Sequence, residues 1–283
     1  MASEAKQRTI IKSELTDLVT KYGDDRRTQL VASEGDFSAE DLIPDQDVVV
    51  TITRSGYSKR TSADLYKSQR RGGRGVKGAA LKQDDVVDHF FVASTHDWLL
   101  FFTNQGRVYR AKVHELPDAG RDARGQHVAN LMAFKPDESI AAVLSIKDYA
   151  TAPYLVLSTK SGLVKKSPLT EYDSPRTGGL IAISLRDGDE VVGATLATDK
   201  DELLLVSRKG MSLRFSAQND SIRSMGRSAT GVIGMKFRAG DELLAMARVG
   251  GSDKNLFVFT ATDGGFGKKS PLDEYRIQNR GGI

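Results

Sequence analysis

Lys165-Lys166-Ser167-Pro168-Leu169-Thr170-Glu171-Tyr172 returns 103 residues later as Lys268-Lys269-Ser270-Pro271-Leu272-Asp273-Glu274-Tyr275. Agreement at most positions of an octapeptide marks duplication within the chain, and its surroundings repeat as well. An apolar run precedes each copy (Tyr154–Leu157, Leu256–Phe259), followed by a tight turn at Gly162 or Gly264-Gly265. The same plan recurs at Val48–Ile52 with Gly56, Trp98–Phe102 with Gly106, and Leu203–Val206 with Gly210. Successive turn glycines lie 50, 56, 48 and 55 residues apart. Each unit reads as a strand, a turn, a second strand carrying basic residues, a Gly-rich loop and a third strand. Several short strands per unit of about fifty residues predict a propeller-like radial β-array. The strand-rich, Gly-punctuated pattern excludes an α-helical solenoid. The only tryptophan, Trp98, follows Asp97, so the Trp-Asp signature of WD-type blades is missing.

The exception to this β pattern is residues 4–22, where Ile11, Leu15, Leu18 and Tyr22 repeat at helical spacing among charged residues. Gly23 is placed to end that helix in a left-handed cap. Such an amphipathic stripe needs a partner element. Glu34–Asp47 reads as an acidic linker, which divides the chain into 1–33, 34–47 and a β domain over 48–283.

The 283 residues carry a net charge of only +4, but the charge is unevenly spread. Residues 1–47 hold six Lys/Arg against eleven Asp/Glu, whereas residues 54–82 hold nine Lys/Arg against Asp64 alone. A polyanion could use that local excess. At its centre lies Gln69-Arg70-Arg71-Gly72-Gly73-Arg74-Gly75, with Lys77 just beyond. The glycines allow close backbone approach and the arginines offer forked donors shaped for phosphate oxygens. A nucleotide phosphate loop is excluded, because the Gly-Lys-Ser/Thr ending and a following helix are missing. A solvated surface turn is the bland alternative. The repeats favour a polyanion track, because each unit carries cations at or after its turn: Lys59 and Arg60, Arg107 and Arg110, Lys165 and Lys166, Arg208 and Arg214, Lys268 and Lys269. If these face one rim in register, they form a cationic band that duplex DNA would fit.

Enzymatic signals are weak. The chain has no cysteine, which excludes disulfides and thiolate metal sites. His89, His96, His114 and His127 lie too far apart to suggest a metal, and no nucleophile elbow or paired carboxylates stand out. We expect no catalytic centre, no metal and no cofactor in this chain. No apolar run approaches membrane length and the first 22 residues have no signal-peptide core, so a soluble cytoplasmic protein without a membrane partner is expected.

The heptad Gln69–Gly75 resembles the gyrase box found in the C-terminal domains of DNA gyrase A subunits, matching it at all seven positions. Asp47–Thr53 and Ser55–Thr61 resemble the first blade of that domain. Tyr22-Gly23-Asp24-Asp25-Arg26-Arg27-Thr28 is similar to the end of the coiled-coil tower that precedes it, and Gly125–Leu131 is similar to actinobacterial gyrases. Ile222-Arg223-Ser224-Met225-Gly226-Arg227 resembles a second, degenerate box at its Arg and Gly positions. The resemblance implies an all-β β-pinwheel, a propeller variant whose blades exchange strands, preceded by one helix. It also implies DNA wrapped around the rim, so that strand passage by other parts of an ATP-dependent type II topoisomerase introduces negative supercoils. Arg70, Arg71, Arg74, Arg223 and Arg227 would contact that DNA. ATP and Mg would serve those other parts. The implied partners are duplex DNA, a gyrase B subunit plus a second A subunit in an A2B2 assembly, at the nucleoid. The family has six blades and five are legible here, so the chain reads as a fragment truncated at its C-terminus. Two alternatives stay open: a topoisomerase IV-type domain that binds DNA without strong wrapping, and a propeller serving as a protein scaffold.

Overall fold

Each of the five glycine turns closes a β-hairpin. The computed structural model describes residues 3–25, 27–28, 39–66, 78–250 and 255–282. The first repeat contributes β1 (Asp47–Thr53), β2 (Tyr57–Ser62) and β3 (Val87–Ser94). The second contributes β4 (Trp98–Thr103), β5 (Arg107–Lys112), the two-residue β6 (Gln126–His127) and β7 (Ile140–Ile146). The third repeats this as β8 (Tyr154–Thr159), β9 (Leu163–Pro168), β10 (Leu180–Ile181) and β11 (Val191–Ala197). The fourth gives β12 (Glu202–Ser207), β13 (Ser212–Ser216), β14 (Val232–Ile233) and β15 (Leu243–Val249), and the fifth gives β16 (Phe257–Ala261) and β17 (Gly267–Pro271). The turn glycines 56, 106, 162, 210 and 265 have φ between 76° and 84°, the left-handed region that side chains resist.

The first strand of a repeat runs down the middle of its sheet. β1 pairs with β2 and β3, β4 with β5 and β7, β8 with β9 and β11, and β12 with β13 and β15, all antiparallel. This placement explains why those strands read as unbroken apolar runs, since both of their faces are covered. Alternate residues serve alternate neighbours. Leu99 and Phe101 pack with Val50 and Ile52 of the first sheet, while Leu100 and Phe102 pack with Leu155 and Leu157 of the third. Val156 meets Leu203 and Leu205, and Leu204 meets Leu272. The core thus lies between consecutive sheets. At about 1.5–3 kcal/mol for each buried aliphatic or aromatic side chain, this burial holds the blades together.

Strand exchange adds a second tie. β6 lies in the second repeat but pairs with β2 of the first, matching Tyr57 with His127. β10 pairs in the same way with β5, and β14 with β9. The strand orders are therefore β3-β1-β2-β6, β10-β5-β4-β7 and β11-β8-β9-β14, with β13-β12-β15 and β16-β17 completing the set. Glycine makes the crossing feasible. A Cβ on Gly125, at φ 83°, would sit 2.2 Å from the Ser58 carbonyl oxygen, and one on Gly231 would sit 2.6 Å from that of Val164.

The chain divides into two compact units, residues 1–42 and 43–283. The first contains helix α1 (Glu4–Tyr22), none of whose residues is buried, and an Arg8–Glu4 ion pair on its first turns. The left-handed cap expected at Gly23 is corrected: its φ of −71° and ψ of 127° are extended. Its N–H still donates to the Val19 carbonyl at 2.7 Å, so the last turn closes without a left-handed residue.

Candidate nucleic-acid interface

After its second strand each repeat from the second to the fifth enters a loop that carries at least one exposed arginine. The heptad Gln69–Gly75 and Lys77 lie outside the described residues. In sequence register the heptad is the first repeat's counterpart of residues 118–125, 173–179, 218–231 and 276–282. Those loops follow short 3-10 turns at Val113–Glu115, Leu169–Tyr172 and Leu272–Glu274 in the second, third and fifth repeats. Arg124, Arg176, Arg223, Arg276 and Arg280 are exposed, and Arg121 and Arg227 are half-buried. Of these, only Arg223 and Arg227 were expected from the sequence. The others become legible when the loops are aligned on the heptad through the turn glycines, since every counterpart contains at least one arginine.

The expected band of strand cations is corrected. Three residues after the turn glycine, Lys59 and Lys165 are 1% and 0% exposed, and at the next position Lys166 is 0% exposed. The fourth position after the glycine is cationic in all five repeats: Arg60, Arg110, Lys166, Arg214 and Lys269. In four of them the side chain is used as a clasp between blades. Arg60 Nε donates to the Leu116 carbonyl at 2.9 Å, with its guanidinium 3.6 Å from Asp118. Arg110 Nη1 donates to Asp173 at 2.8 Å and its guanidinium stacks 4.5 Å from the Trp98 ring centroid. Lys166 Nζ donates to Asp199 at 2.9 Å and to the Ala217 carbonyl at 2.7 Å. Arg214 Nε donates to Glu202 at 2.5 Å, and its Nη1 to the carbonyls of Leu272 and Tyr275. Residues Arg60, Lys166 and Arg214 also form isolated parallel bridges with Asp118, Ser224 and Ile277. A cation whose donors are spent on carbonyls and carboxylates has little left for a phosphate.

Lys59 and Lys165 are caged more completely. Lys59 Nζ donates to the carbonyls of Gly78, Gly120 and Arg121, at 3.2, 3.0 and 2.5 Å. Lys165 Nζ donates to the Tyr172 hydroxyl at 3.1 Å and to the carbonyls of Ala182 and Arg227. Burial pushes the Lys165 ammonium down to about 7, with Glu171 opposing the shift and Arg227 adding to it. Burial lowers Lys59 in the same direction against the pull of Asp122, and pushes the Tyr172 hydroxyl up to about 12. In the second repeat Arg107 takes a related role, donating through Nη2 to the carbonyls of Gly178 and Gly179. Of the expected cations, Arg208, Lys268, Lys269 and Arg223 remain exposed. Arg208 pairs with Glu242 at 3.0 Å, and the Lys269 ammonium sits 4.0 Å from the Phe257 ring centroid.

Sequence reading also missed a recurring carboxylate. Asp85, Asp189 and Asp241 lie just before β3, β11 and β15 and accept backbone N–H bonds from the hairpin turns, from Ser55, Ser161 and Lys209. The signal was Asp-Gly-Asp-Glu at 187–190 and Gly-Asp-Glu at 240–242. Among the described residues no group of three or more His, Asp or Glu could hold a metal ion.

The family model described as DNA gyrase C-terminal domain, beta-propeller, matches residues 47–94, 97–147, 153–198, 201–249 and 257–283. The A-type subunit of DNA gyrase from Streptomyces coelicolor is 62% identical over 288 residues, covering all of this chain and 33% of the relative. Its Mycolicibacterium smegmatis counterpart is 57% identical over 282 residues with the same coverage. The chain spans about a third of the length of these relatives. Among solved structures, a C-terminal domain of DNA topoisomerase IV aligns with TM-score 0.69 and 33% identity, over 85% of this chain and 72% of that one. A DNA gyrase A C-terminal domain also aligns at 0.69, with 27% identity over 84% and 75%.

Proposed function

This chain belongs to the DNA gyrase C-terminal domain family, and from that premise we propose that its β unit binds duplex DNA and wraps it around the edge of the blades. The observation that carries the reading is the repetition of exposed arginines, one loop per repeat, in Arg124, Arg176, Arg223 and Arg276. Each guanidinium can form a forked pair with phosphate oxygens, and backbone contacts carry no sequence information. Bending a site of 20–30 base pairs by 40–90° costs about 1–6 kcal/mol, which only several distributed contacts offset. In this reading the chain does no chemistry. It presents curved DNA to the rest of a type II topoisomerase, where ATP and Mg are used, so that strand passage introduces negative supercoils. Its partners would be DNA, a B-type subunit plus a second A-type subunit, in the cytoplasm at the nucleoid. No helix among the described residues is long and apolar enough to cross a membrane.

The likeness to a topoisomerase IV C-terminal domain supports a second reading, DNA binding without a full wrap. Ligation of nicked circles in the presence of the chain separates the two. Wrapping leaves a linking-number change of one sign that grows with bound protein, and simple binding leaves none. Arg70, Arg71 and Arg74 replaced together by Ala should abolish that change while the thermal melt stays that of the wild type. Unchanged topology in the triple variant would overturn the role given to the heptad.

A further inference from the structure

Two of the caged lysines do something that packing alone does not require. Lys59 joins the carbonyl of Gly78 in the first repeat to those of Gly120 and Arg121 in the second repeat's loop. Lys165 joins Ala182, just past β10 of the third repeat, to Arg227 in the fourth repeat's loop, and the Arg227 N–H is in turn held by Glu171 at 2.6 Å. Each ammonium spends its three donors and almost none of either residue is exposed. Burying an ammonium is costly, and leaving several carbonyls aimed at one another with nothing between them is costly too. The Nζ–H donors and the carbonyl cage therefore hold each other in place. Without those donors the carbonyls would turn toward water, and the loop would separate from the repeat before it.

The task recurs even where the residue does not. Tyr109 stands at the equivalent position of the second repeat, and there Arg107 crosses to the carbonyls of Gly178 and Gly179. Leu213 stands there in the fourth repeat, and Arg280 of the fifth repeat's loop reaches back to the carbonyls of Ser221 and Ile233, at 2.6 and 3.1 Å. Four junctions thus place a Lys or Arg side chain on backbone carbonyls of a loop or of the short strand beside it, delivered from three different places in the repeat.

We propose that Lys59 and Lys165 are positioning residues that fix the arginine-bearing loops of the second and fourth repeats to the repeat before them, setting the spacing at which those loops meet DNA without touching it themselves. The proposal rests on the DNA-wrapping reading above. It separates binding from bending. Losing a loop tie leaves each loop able to contact a phosphate, but no longer in step with its neighbour.

The test compares wild type with Lys59→Met and Lys165→Met, which keep the buried length of the side chain and remove its charge. Affinity is measured on a duplex of about 20 base pairs between 50 and 200 mM salt, and bending by end-to-end energy transfer on one of about 150 base pairs, the persistence length. We expect short-duplex affinity within about three-fold of wild type and an unchanged salt slope, with at least half of the energy-transfer change lost. A slope reduced by about 0.9 per lysine would mean a lost phosphate contact and would overturn the proposal. Bending equal to wild type would overturn it as well. Reductive methylation of the wild-type chain needs no variant: Lys59 and Lys165 should stay unmodified with and without DNA, while Lys268 reacts. Methylation of either buried lysine that DNA suppresses would place it on the DNA and sink the idea. Should a Met variant fail to fold, Lys59→Gln and Lys165→Gln carry the same comparison, since they keep two N–H donors without the charge. Failure of the wild type itself to bend the long duplex would count against the wrapping reading. Wild-type bending with unaffected variants would count only against the lysines.

Discussion

At Lys165 the strand delivers an ammonium to a point where a tyrosine hydroxyl and two carbonyls converge, and its pKa falls to about 7. An unfolded lysine keeps its ordinary value of 10.5, so between pH 7 and 10 the unfolded chain binds more protons at this residue than the folded one. Stability from Lys165 is therefore greatest at high pH and is lost as pH falls toward 7, below which the loss is constant. Tyr172 acts in the opposite sense but only above pH 10, because its hydroxyl titrates near 12 in the fold. Urea midpoints should rise from pH 7 to pH 10 in the wild type, more steeply than in Lys165→Met. Lys59 shifts in the same direction and is common to both proteins, so the difference isolates Lys165. Parallel midpoints over that range would show that the ammonium is not held in a depressed state. None of this was legible in the sequence. A Lys-Lys pair in a strand reads as solvent decoration, because its burial depends on carbonyls contributed by a loop 62 residues away.

The hairpin and the loop differ in how far they can be read. Hairpins were legible because a run such as Trp98–Phe102 is apolar at every position and ends at a glycine, which is local information. Strand exchange was implied by the family resemblance, but the residues that exchange were not legible, since Gln126–His127 and Leu180–Ile181 are too short for any periodicity and pair across repeats. The loop glycines were read as room for a ligand. In the described loops Gly125 and Gly231 give room for a backbone, and that difference is measurable. Gly125→Ala meets both a positive φ and a Cβ 2.2 Å from a carbonyl oxygen, whereas Gly188, at φ 74°, has open space around its Cβ position. Gly188→Ala should cost about 1–2 kcal/mol for the left-handed conformation alone. Gly125→Ala should cost clearly more and loosen β6, read as faster hydrogen exchange at His127. Equal losses would mean that the strand crossing tolerates a side chain. One turn carboxylate, Asp241, gives an element-scale pH effect of the same sign in a more acidic window. Slight desolvation would raise Asp241, but the Ser207 hydroxyl, the N–H groups of Lys209 and Glu242 and the Lys209 charge outweigh it and hold it below the usual carboxylate range. A depressed carboxylate stabilises above its unfolded value of about 4 and loses that stability as pH falls through its folded one. Asp241→Asn should therefore flatten part of the acid limb below pH 4 in urea midpoints, and a limb of unchanged steepness would show that this carboxylate adds nothing.

Across the whole molecule the repeat does two jobs with one residue type. The fold class followed from five copies of one apolar pattern, because burial between neighbouring sheets imposes the same demand on every blade. Which cations face outward did not follow, because the same periodicity that suggested a rim also suits a chain of inter-blade clasps. The structure sets a spent group of cations (Arg60, Arg110, Lys166, Arg214) against a group exposed on the loops (Arg124, Arg176, Arg223, Arg276). These sets should respond oppositely to mutation. Arg110→Met leaves Asp173 without its cation and removes one of the two cations over Trp98, the other being Lys112, so it should cost about 1–2 kcal/mol in urea unfolding. Its DNA salt slope should match wild type, because no phosphate contact is lost. Arg176→Gln should leave unfolding within about 0.5 kcal/mol, as an exposed change does. Its slope of log affinity against log salt should become shallower by about 0.9, one released counterion. Arg124→Gln and Arg276→Gln, at the same place in other repeats, should each take off a similar amount, and the double variant should lose both, since separate phosphates are involved. Anisotropy titrations from 50 to 200 mM salt read these slopes directly. If Arg110→Met flattened the slope while Arg176→Gln did not, the DNA would run over the strands and not the loops, and the division of charge proposed for this molecule would have to be reversed.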